Sequence, residues 1–283
     1  MNDTTAPVTV RLESHAGVTV VTLDRPEVHN AFDECMREHL AAAMAQASAD
    51  PTIGVVVITG AGPRAFSAGM DLREFAAMPM SVTARRRQRR ARAAPLTDFP
   101  KPVIAAVNGV AIGFGLELAL QCDILVAATN ATFALAEVRR GIIPGVGGTQ
   151  HLARRIGQGR AMEMILTGRT VDAELAQRYR LVEHVVPAEE LMARADALAR
   201  EILTNAPVAV QLARGRSGAA STCRWPTACG WRTTSWPSQW ARKTRAKARR
   251  PSRRSAPRAG GANNAAPGGS AHRCQFFTYY KET

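Results

Sequence analysis

The hydrophobic positions of this chain fall into short strand-like runs separated by segments with helical spacing. The strand-like runs are continuous or β-branched, as is typical of strands that are largely buried, and they cover Val18–Leu23, Ile53–Thr59, Val103–Val107 and Ile124–Ala128. Over Ala188–Leu203, by contrast, apolar residues recur at helical spacing. Strands that alternate with helices along the chain predict an α/β fold.

The same pattern predicts several shorter elements. A helix over Phe32–Ala49 follows Asn30, a residue type that favours helix N-caps. Further helices are predicted at His151–Ile156, Arg160–Leu166 and Ala173–Tyr179, and further extended segments at Thr132–Leu135 and Leu181–Val186.

Two carboxylates occupy apolar surroundings in the stretch from Val103 to Gln150. A glycine-rich turn there precedes a helix predicted from about Phe114 to near Gln121, which places Glu117 in its first turn. Glu137 follows the next extended segment, between two apolar residues. Burial raises the pKa of a carboxyl group, and neighbouring carboxyls resist ionising together, so such a pair suits general acid–base chemistry. The other interpretation is two ordinary glutamates, one favoured by the helix dipole and one on a surface loop.

Three ordered motifs carry a resemblance to a known family. They are Asn108–Gly109 with the run GFGLELALQCD, the run FALAEVRRGIIPGVGGTQ, and RAFSAGMDLREF at Arg64–Phe75. Together they resemble the signature segments of the enoyl-CoA hydratase/isomerase (crotonase) superfamily, over about Val8 to Arg214. The resemblance implies a crotonase-like spiral of repeated ββα units followed by a C-terminal helical region.

The resemblance also implies site residues. The backbone N–H groups of Ala68 and Phe114 correspond to an oxyanion hole for a thioester carbonyl, and Phe114 stands where glycine is frequent, which adds bulk near the pocket. Glu117 corresponds to the residue that activates water, and Glu137 to the one that exchanges a proton with C2. The remaining positions implied to contact substrate are Gly69, Met70, Asp71, Leu72 and Gly145.

With two glutamates, the implied activity is hydration of a 2-enoyl-CoA in fatty-acid β-oxidation. Isomerases of the superfamily usually lack the residue at Glu117, so hydratase is preferred; a carnitinyl-CoA-type dehydratase is the close alternative. The implied partners are an acyl-CoA, which carries its own coenzyme A, and copies of the chain in a homotrimer or dimer of trimers. No separate cofactor is expected, because the substrate carries coenzyme A. No metal is expected either, since the six histidines have no metal-ligand spacing.

Charge divides the chain in two. Of the net charge of +14, +13 lies from Gly215 onward, where 14 lysines and arginines face the single acid Glu282. We therefore divide the chain into a core at 1–186, the start of a helical region at 187–214, and a basic tail at 215–283 that is rich in Trp, Arg and Pro. The tail has no coherent helical period and is predicted to be disordered. A nucleic-acid-binding arm is an alternative interpretation of its charge and tryptophans, to be tested by salt-dependent DNA binding.

The composition of the tail also suggests a shifted reading frame. A frame one base earlier can encode LPVADGLRLEDDLL from Cys223 and VGTEDASEGPKAFAEKRAPSWRG from Trp240. The second string resembles the closing pattern of the superfamily, E-D-x-x-E-G-x-x-A-F-x-E-K-R-x-P. We infer a single-base shift between about Ala213 and Ser217, by sequencing error or mutation. If the printed tail is real, a CoA-binding pseudo-enzyme is a further alternative.

The remaining features bear on location and charge. The amino terminus lacks a basic region and an apolar core, and no apolar run is long enough to span a membrane. Cys35 and Cys122 lie in apolar contexts that fit a reducing compartment, so a cytoplasmic location is expected. Six arginines between Arg85 and Arg92 predict either a solvated helix face or a contribution to binding CoA phosphates.

Overall fold

The computed structural model describes residues 8–77, 96 and 99–222, with the backbone alone at 75–77 and 216–222. A six-stranded sheet forms the centre of these residues, in the order β1-β2-β3-β5-β7-β10. The β1–β2 pair is antiparallel and the other neighbours are parallel. The strands are β1 (Val10–His15), β2 (Val18–Leu23), β3 (Val55–Gly60), β5 (Val103–Val107), β7 (Ile124–Ala128) and β10 (His184–Val186).

A smaller sheet of four strands accompanies the large one, in the order β4-β6-β8-β9. Strands β3, β5 and β7 of the large sheet are each followed directly by one strand of the small sheet, and this repetition is the predicted spiral. The α/β fold class and its ββα repeats are therefore confirmed. The strands are β4 (Ala65–Ser67), β6 (Val110–Ile112), β8 (Thr132–Ala134) and β9 (Val171–Asp172).

Eight helices belong to the described part of the chain. They are α1 (Glu34–Ala49), α2 (Leu72–Ala77), α3 (Phe114–Ala119), α4 (Gly148–Ile156), α5 (Gln158–Thr167), α6 (Ala173–Arg178), α7 (Leu191–Leu203) and α8 (Pro207–Thr222). Three short 3-10 turns, at Pro26–Val28, Glu137–Arg140 and Ala188–Glu190, complete the elements.

Asn30 does not cap α1, contrary to the prediction. The cap is Asp33, whose side chain accepts a hydrogen bond from the Met36 N–H at 2.8 Å. Asn30 is fully buried and instead donates from Nδ2 to the Ala65 carbonyl at 2.8 Å. This bond ties the loop before α1 to β4, and Asn30 adopts a left-handed backbone conformation with a φ of 55°.

Both faces of the large sheet are covered, because side chains point alternately to opposite faces. One face joins the main core with α1 and α3, through residues such as Ile58 and Leu125. The opposite face packs against α7, where Leu191, Ala195 and Ala199 are buried. Helix α7 thus shares a core with the sheet that precedes it.

The last helix continues beyond the point at which order was predicted to end. Helix α8 runs from Pro207 to Thr222, so the prediction of disorder from Gly215 is wrong for its first eight residues. Arg214 fixes this helix by bonding the Asp123 carboxylate at 2.7 Å and the Phe99 carbonyl. The rest of the tail and the arginine cluster at 85–92 lie outside the described residues, and among those described no helix is both long and apolar enough to span a membrane.

Candidate active site

The amino-terminal end of α3 is the centre of the candidate site. Gly113 has a φ of 57° and donates its N–H to the Ala134 carbonyl at 2.9 Å, which anchors the helix start to β8. The first intrahelical bond runs from the Glu117 N–H to the Gly113 carbonyl. Since the first N–H groups of a helix lack intrahelical acceptors, the Phe114 N–H is free. Within the described residues it has no acceptor.

Glu117 is buried one turn into α3, with 2% of its surface exposed. Its Oε1 accepts hydrogen bonds from the Val146 and Gly148 N–H groups, both at 2.8 Å. A Cβ at position 148 would lie 2.9 Å from this oxygen, so a glycine there permits the close approach. Burial raises the pKa of Glu117 to about 7; the backbone N–H groups oppose the rise, and the charge of Glu137 adds to it.

Glu137 begins the 3-10 turn after β8 and reaches the same region. A Cβ at Gly113 would lie 3.3 Å from Glu137 Oε1, which places this carboxyl against the start of α3. Its Oε2 is buried and has no hydrogen-bond partner in the described part of the chain. Burial is the main cause that raises the pKa of Glu137. The predicted pair of glutamates is therefore close in space, and both carboxyls favour the protonated form more than usual.

Of the two N–H groups predicted to form the oxyanion hole, that of Ala68 needs a correction. The Ala68 N–H donates to the His29 carbonyl at 2.9 Å, so Ala68 is wrong as a donor to a bound carbonyl. Two residues later the Met70 N–H has no acceptor among the described residues. Between them Gly69, with a φ of 93°, brings the chain so near α3 that a Cβ there would lie 3.3 Å from the Phe114 nitrogen. The geometry therefore offers Met70 and Phe114 as the two free N–H groups.

The Phe114 side chain does not add bulk where the sequence suggested. It is 5% exposed, and its ring packs edge-on against Phe32 with centroids 4.7 Å apart. The ring is thus part of the main core, and only the backbone of this residue faces the site.

The other residues predicted to contact substrate differ in their exposure and in their bonds within the chain. Asp71 binds within the chain through both carboxylate oxygens, to the Arg73 N–H at 3.0 Å and to Arg25 at 3.5 Å. Leu72 begins α2 with 46% of its surface exposed. Gly145 is exposed, and a Cβ there would meet nothing within 4 Å.

Val146 and Gly148 belong to the candidate site because their N–H groups bond Glu117, and the sequence did not identify them. They act through backbone N–H groups, so their side chains carry no sign of the role; the only signal was the glycine pattern of GVGG at 145–148. No group of three His, Cys, Asp or Glu side chains in the described ranges could hold a metal ion.

Comparison with known proteins identifies the family of this chain. The model of the enoyl-CoA hydratase/isomerase family matches residues 13–235. A probable enoyl-CoA hydratase of Mycobacterium tuberculosis is 40% identical over 206 residues, covering 73% of this chain and 79% of the relative. A short-chain-enoyl-CoA hydratase of Clostridium acetobutylicum is 39% identical over 225 residues, covering 77% and 84%. The crystal structure of an enoyl-CoA hydratase from Bacillus anthracis superposes with a TM-score of 0.71 at 35% identity, covering 84% and 90%.

The spiral fold brings two glutamates together with two free N–H groups, an arrangement that can bind and polarise a carbonyl group. The chain belongs to the enoyl-CoA hydratase/isomerase family. Its relatives at about 40% identity support a hydro-lyase enzyme.

Proposed function

We propose that this protein hydrates a 2-enoyl-CoA thioester, adding the hydroxyl of water to C3 and a proton to C2. The observation that carries the proposal is the meeting of buried Glu117 and half-buried Glu137 with free N–H groups at the start of α3. An acyl-CoA brings the coenzyme as part of the substrate. The groups that carry protons and the N–H groups that bond the substrate carbonyl can therefore all come from the chain.

Binding of the thioester carbonyl oxygen is assigned to the N–H groups of Met70 and Phe114. Attack at C3 moves the π electrons toward that oxygen and forms an enolate, whose negative charge the two donors stabilise. One donor of this kind contributes about 3–4 kcal/mol to the transition state. A buried site strengthens the effect, because little water screens the charge.

Proton transfer is assigned to the two glutamates. Glu117, in its ionised form, accepts a proton from water as the oxygen attacks C3. Glu137, in its protonated form, donates a proton to C2 as the enolate collapses. The pKa of Glu117, about 7, lets this carboxyl both accept and release a proton at neutral pH, and the raised pKa of Glu137 favours its protonated form. Exchange with solvent or between the two carboxyls restores the starting state.

Hydration of crotonyl-CoA tests the proposal, followed by the loss of conjugated enoyl absorbance. Glu117→Gln and Glu137→Gln are each expected to lower kcat by about 10²- to 10⁴-fold, because each removes one proton carrier. Glu174→Gln is the matched control, as this glutamate is exposed on α6 and pairs only with Arg178 within the described residues. Wild-type activity in either glutamine variant, or none in the wild type, would overturn the assignment.

The two roles can be separated by hydrogen exchange at C2 of butyryl-CoA in heavy water. This exchange needs the enolate donors and the C2 proton carrier, but no attack by water. We expect Glu117→Gln to retain exchange and Glu137→Gln to lose it. A wild type that moves the double bond of a 3-enoyl-CoA without hydrating crotonyl-CoA would instead identify an isomerase.

Pathway, location and assembly are part of the same proposal. We place the activity in fatty-acid β-oxidation in the cytoplasm, and we propose a homotrimer or dimer of trimers. Family membership and the names of the relatives support an enoyl-CoA substrate, which is the kind of substrate that this pathway supplies. Sedimentation of the purified chain measures the assembly directly.

A further inference from the structure

The direction of the Met70 N–H is set by a short pairing with the loop before α1. Phe32 donates its N–H to the Gly69 carbonyl at 2.7 Å and accepts from the Asp71 N–H at 2.8 Å. Since alternate residues of an extended chain bond on the same side, the N–H of Met70 faces away from Phe32. Small shifts of this pairing would therefore re-aim the donor.

Arg25 links both sides of the pairing. Its guanidinium donates to the Ala31 carbonyl at 2.6 Å, lies 3.0 Å from the Asp33 carboxylate and 3.5 Å from the Asp71 carboxylate. The side chain is 17% exposed, so these bonds are partly shielded from water. One rigid fork thus joins the N-cap of α1 to the residue that follows Met70.

Arg37 holds the same segment from within α1. Its NH2 lies 2.5 Å from Glu74 Oε1 on α2, and its NH1 is 3.4 Å from the Phe32 carbonyl and 3.7 Å from Met70 Sδ. The Arg37 side chain is 8% exposed, and such a buried cation requires its partners. The Met70 segment therefore lies between two arginines that reach it from different elements.

We propose that Arg25 and Arg37 are positioning residues that aim the Met70 N–H at the substrate carbonyl. The inference rests on the proposed function, because it gives the arginines a role in a reaction assigned above. Neither residue touches the reacting atoms. Two features favour positioning over general stabilisation: the bonds converge on the residues flanking one donor, and a planar guanidinium can hold several acceptors in fixed geometry where an ammonium cannot.

The test uses Arg25→Met, Arg25→Lys and Arg37→Met in the full chain, with Arg200→Met as control. Arg200 forms an exposed ion pair with Asp196 within α7, on the other face of the large sheet. Each variant is assayed for kcat and KM with crotonyl-CoA and for thermal unfolding. A second readout is the absorption red shift of bound 4-dimethylaminocinnamoyl-CoA, which reports polarisation of the thioester carbonyl.

We expect Arg25→Met to lower kcat by about 10- to 100-fold with a smaller change in KM, because a displaced donor loses transition-state binding. The red shift should shrink in parallel, Arg25→Lys should recover part of both, and Arg200→Met should change neither. If Arg37→Met fails to fold, Glu74→Gln takes its place, since it weakens the bond between Glu74 and Arg37 and retains the side-chain shape.

Full kcat and a full red shift in Arg25→Met would overturn the proposal, as would the absence of a red shift in the wild type. A loss of thermal stability with kcat and red shift intact would also overturn it, by showing a purely structural role. Failure of the proposed function has a different signature. A wild type that binds the chromophore with a red shift but never hydrates crotonyl-CoA refutes hydration, while the shifts of the variants still decide the role of the arginines.

Discussion

Burial and hydrogen bonding shift the pKa of the Glu117 carboxyl group in opposite directions. Two backbone N–H groups stabilise its charge, yet burial outweighs them and raises its pKa from 4.5 to about 7. Between these pH values the folded chain binds more protons at this site than the unfolded chain. The free energy of unfolding therefore falls as the pH rises through this window, by about 3 kcal/mol in total from this group. The ionised form of Glu117, which the proposed chemistry requires, is thus the form that lowers the free energy of unfolding.

Glu117→Gln is expected to remove most of that pH dependence. The amide stays neutral, and its oxygen can still accept from Val146 and Gly148, so the variant should be more stable than the wild type at pH 8. Some decline should remain, because burial also raises the pKa of Glu137. Urea unfolding from pH 4.5 to 8 measures the slope, and Glu174→Gln serves as an exposed control. An unchanged slope in Glu117→Gln would show that Glu117 ionises freely in the folded chain.

At the same scale, the sequence identifies side chains better than backbone groups. The sequence motifs are specific enough to locate the side chains of Glu117 and Glu137, and they also locate the backbone N–H of Phe114. Ala68 could not be told from Met70, since the choice depends on which N–H is already donated to another residue. That bond, from Ala68 to the His29 carbonyl, joins segments far apart in the sequence.

At the scale of elements, continuous apolar strands were predicted well, whereas several of the short strands were missed. Strands β5 and β7 have the predicted bounds because five successive apolar residues leave few other possibilities. Strands β4 and β6 have three residues each, too few for a period to be visible, and they form only because the spiral places them side by side. The cap of α1 was misplaced for a related reason, since Asn30 is used by a distant carbonyl.

The link between α1 and β5 depends on one buried cation. Lys101 is 4% exposed and donates from Nζ to the Ala47 carbonyl at 2.6 Å and the Asp50 carbonyl at 2.5 Å, at the C-terminal end of α1. A cation there satisfies carbonyls that lack intrahelical partners and favours the negative end of the helix dipole.

Lys101→Met is expected to lower the free energy of unfolding by about 2–3 kcal/mol, since it leaves two carbonyls without a charged donor. Urea unfolding at pH 7 checks the loss. Arg178→Met removes an exposed cation on α6 and should cost less than about 0.5 kcal/mol. Equal stability of the two variants would show that water replaces the ammonium at the end of α1.

At the scale of the whole molecule, the composition changes from Gly215 onward, within the part of the chain that matches the family model up to residue 235. The described helix α8 enters the tail but leaves two large apolar side chains uncovered, Val208 at 70% and Leu212 at 60% exposure. A frame shifted by one base beyond it can encode a segment rich in Leu, Glu and Asp, as a further packing helix would require, whereas the printed sequence there carries most of the net positive charge. Both observations fit a chain in which the inferred single-base shift removed a helix that would pack against α8.

Restoring the frame after Arg214 is therefore expected to raise both stability and crotonyl-CoA hydration. Covering the exposed side chains of Val208 and Leu212 would remove apolar area from water, at about 25 cal/mol per Å². The two chains are compared by thermal unfolding and by kcat under the same conditions. Equal activity and stability would show that residues 1–214 suffice and that the tail is incidental. Activity in the restored chain alone would identify the printed chain as an inactivated hydratase, and resequencing would then separate an error from a mutation.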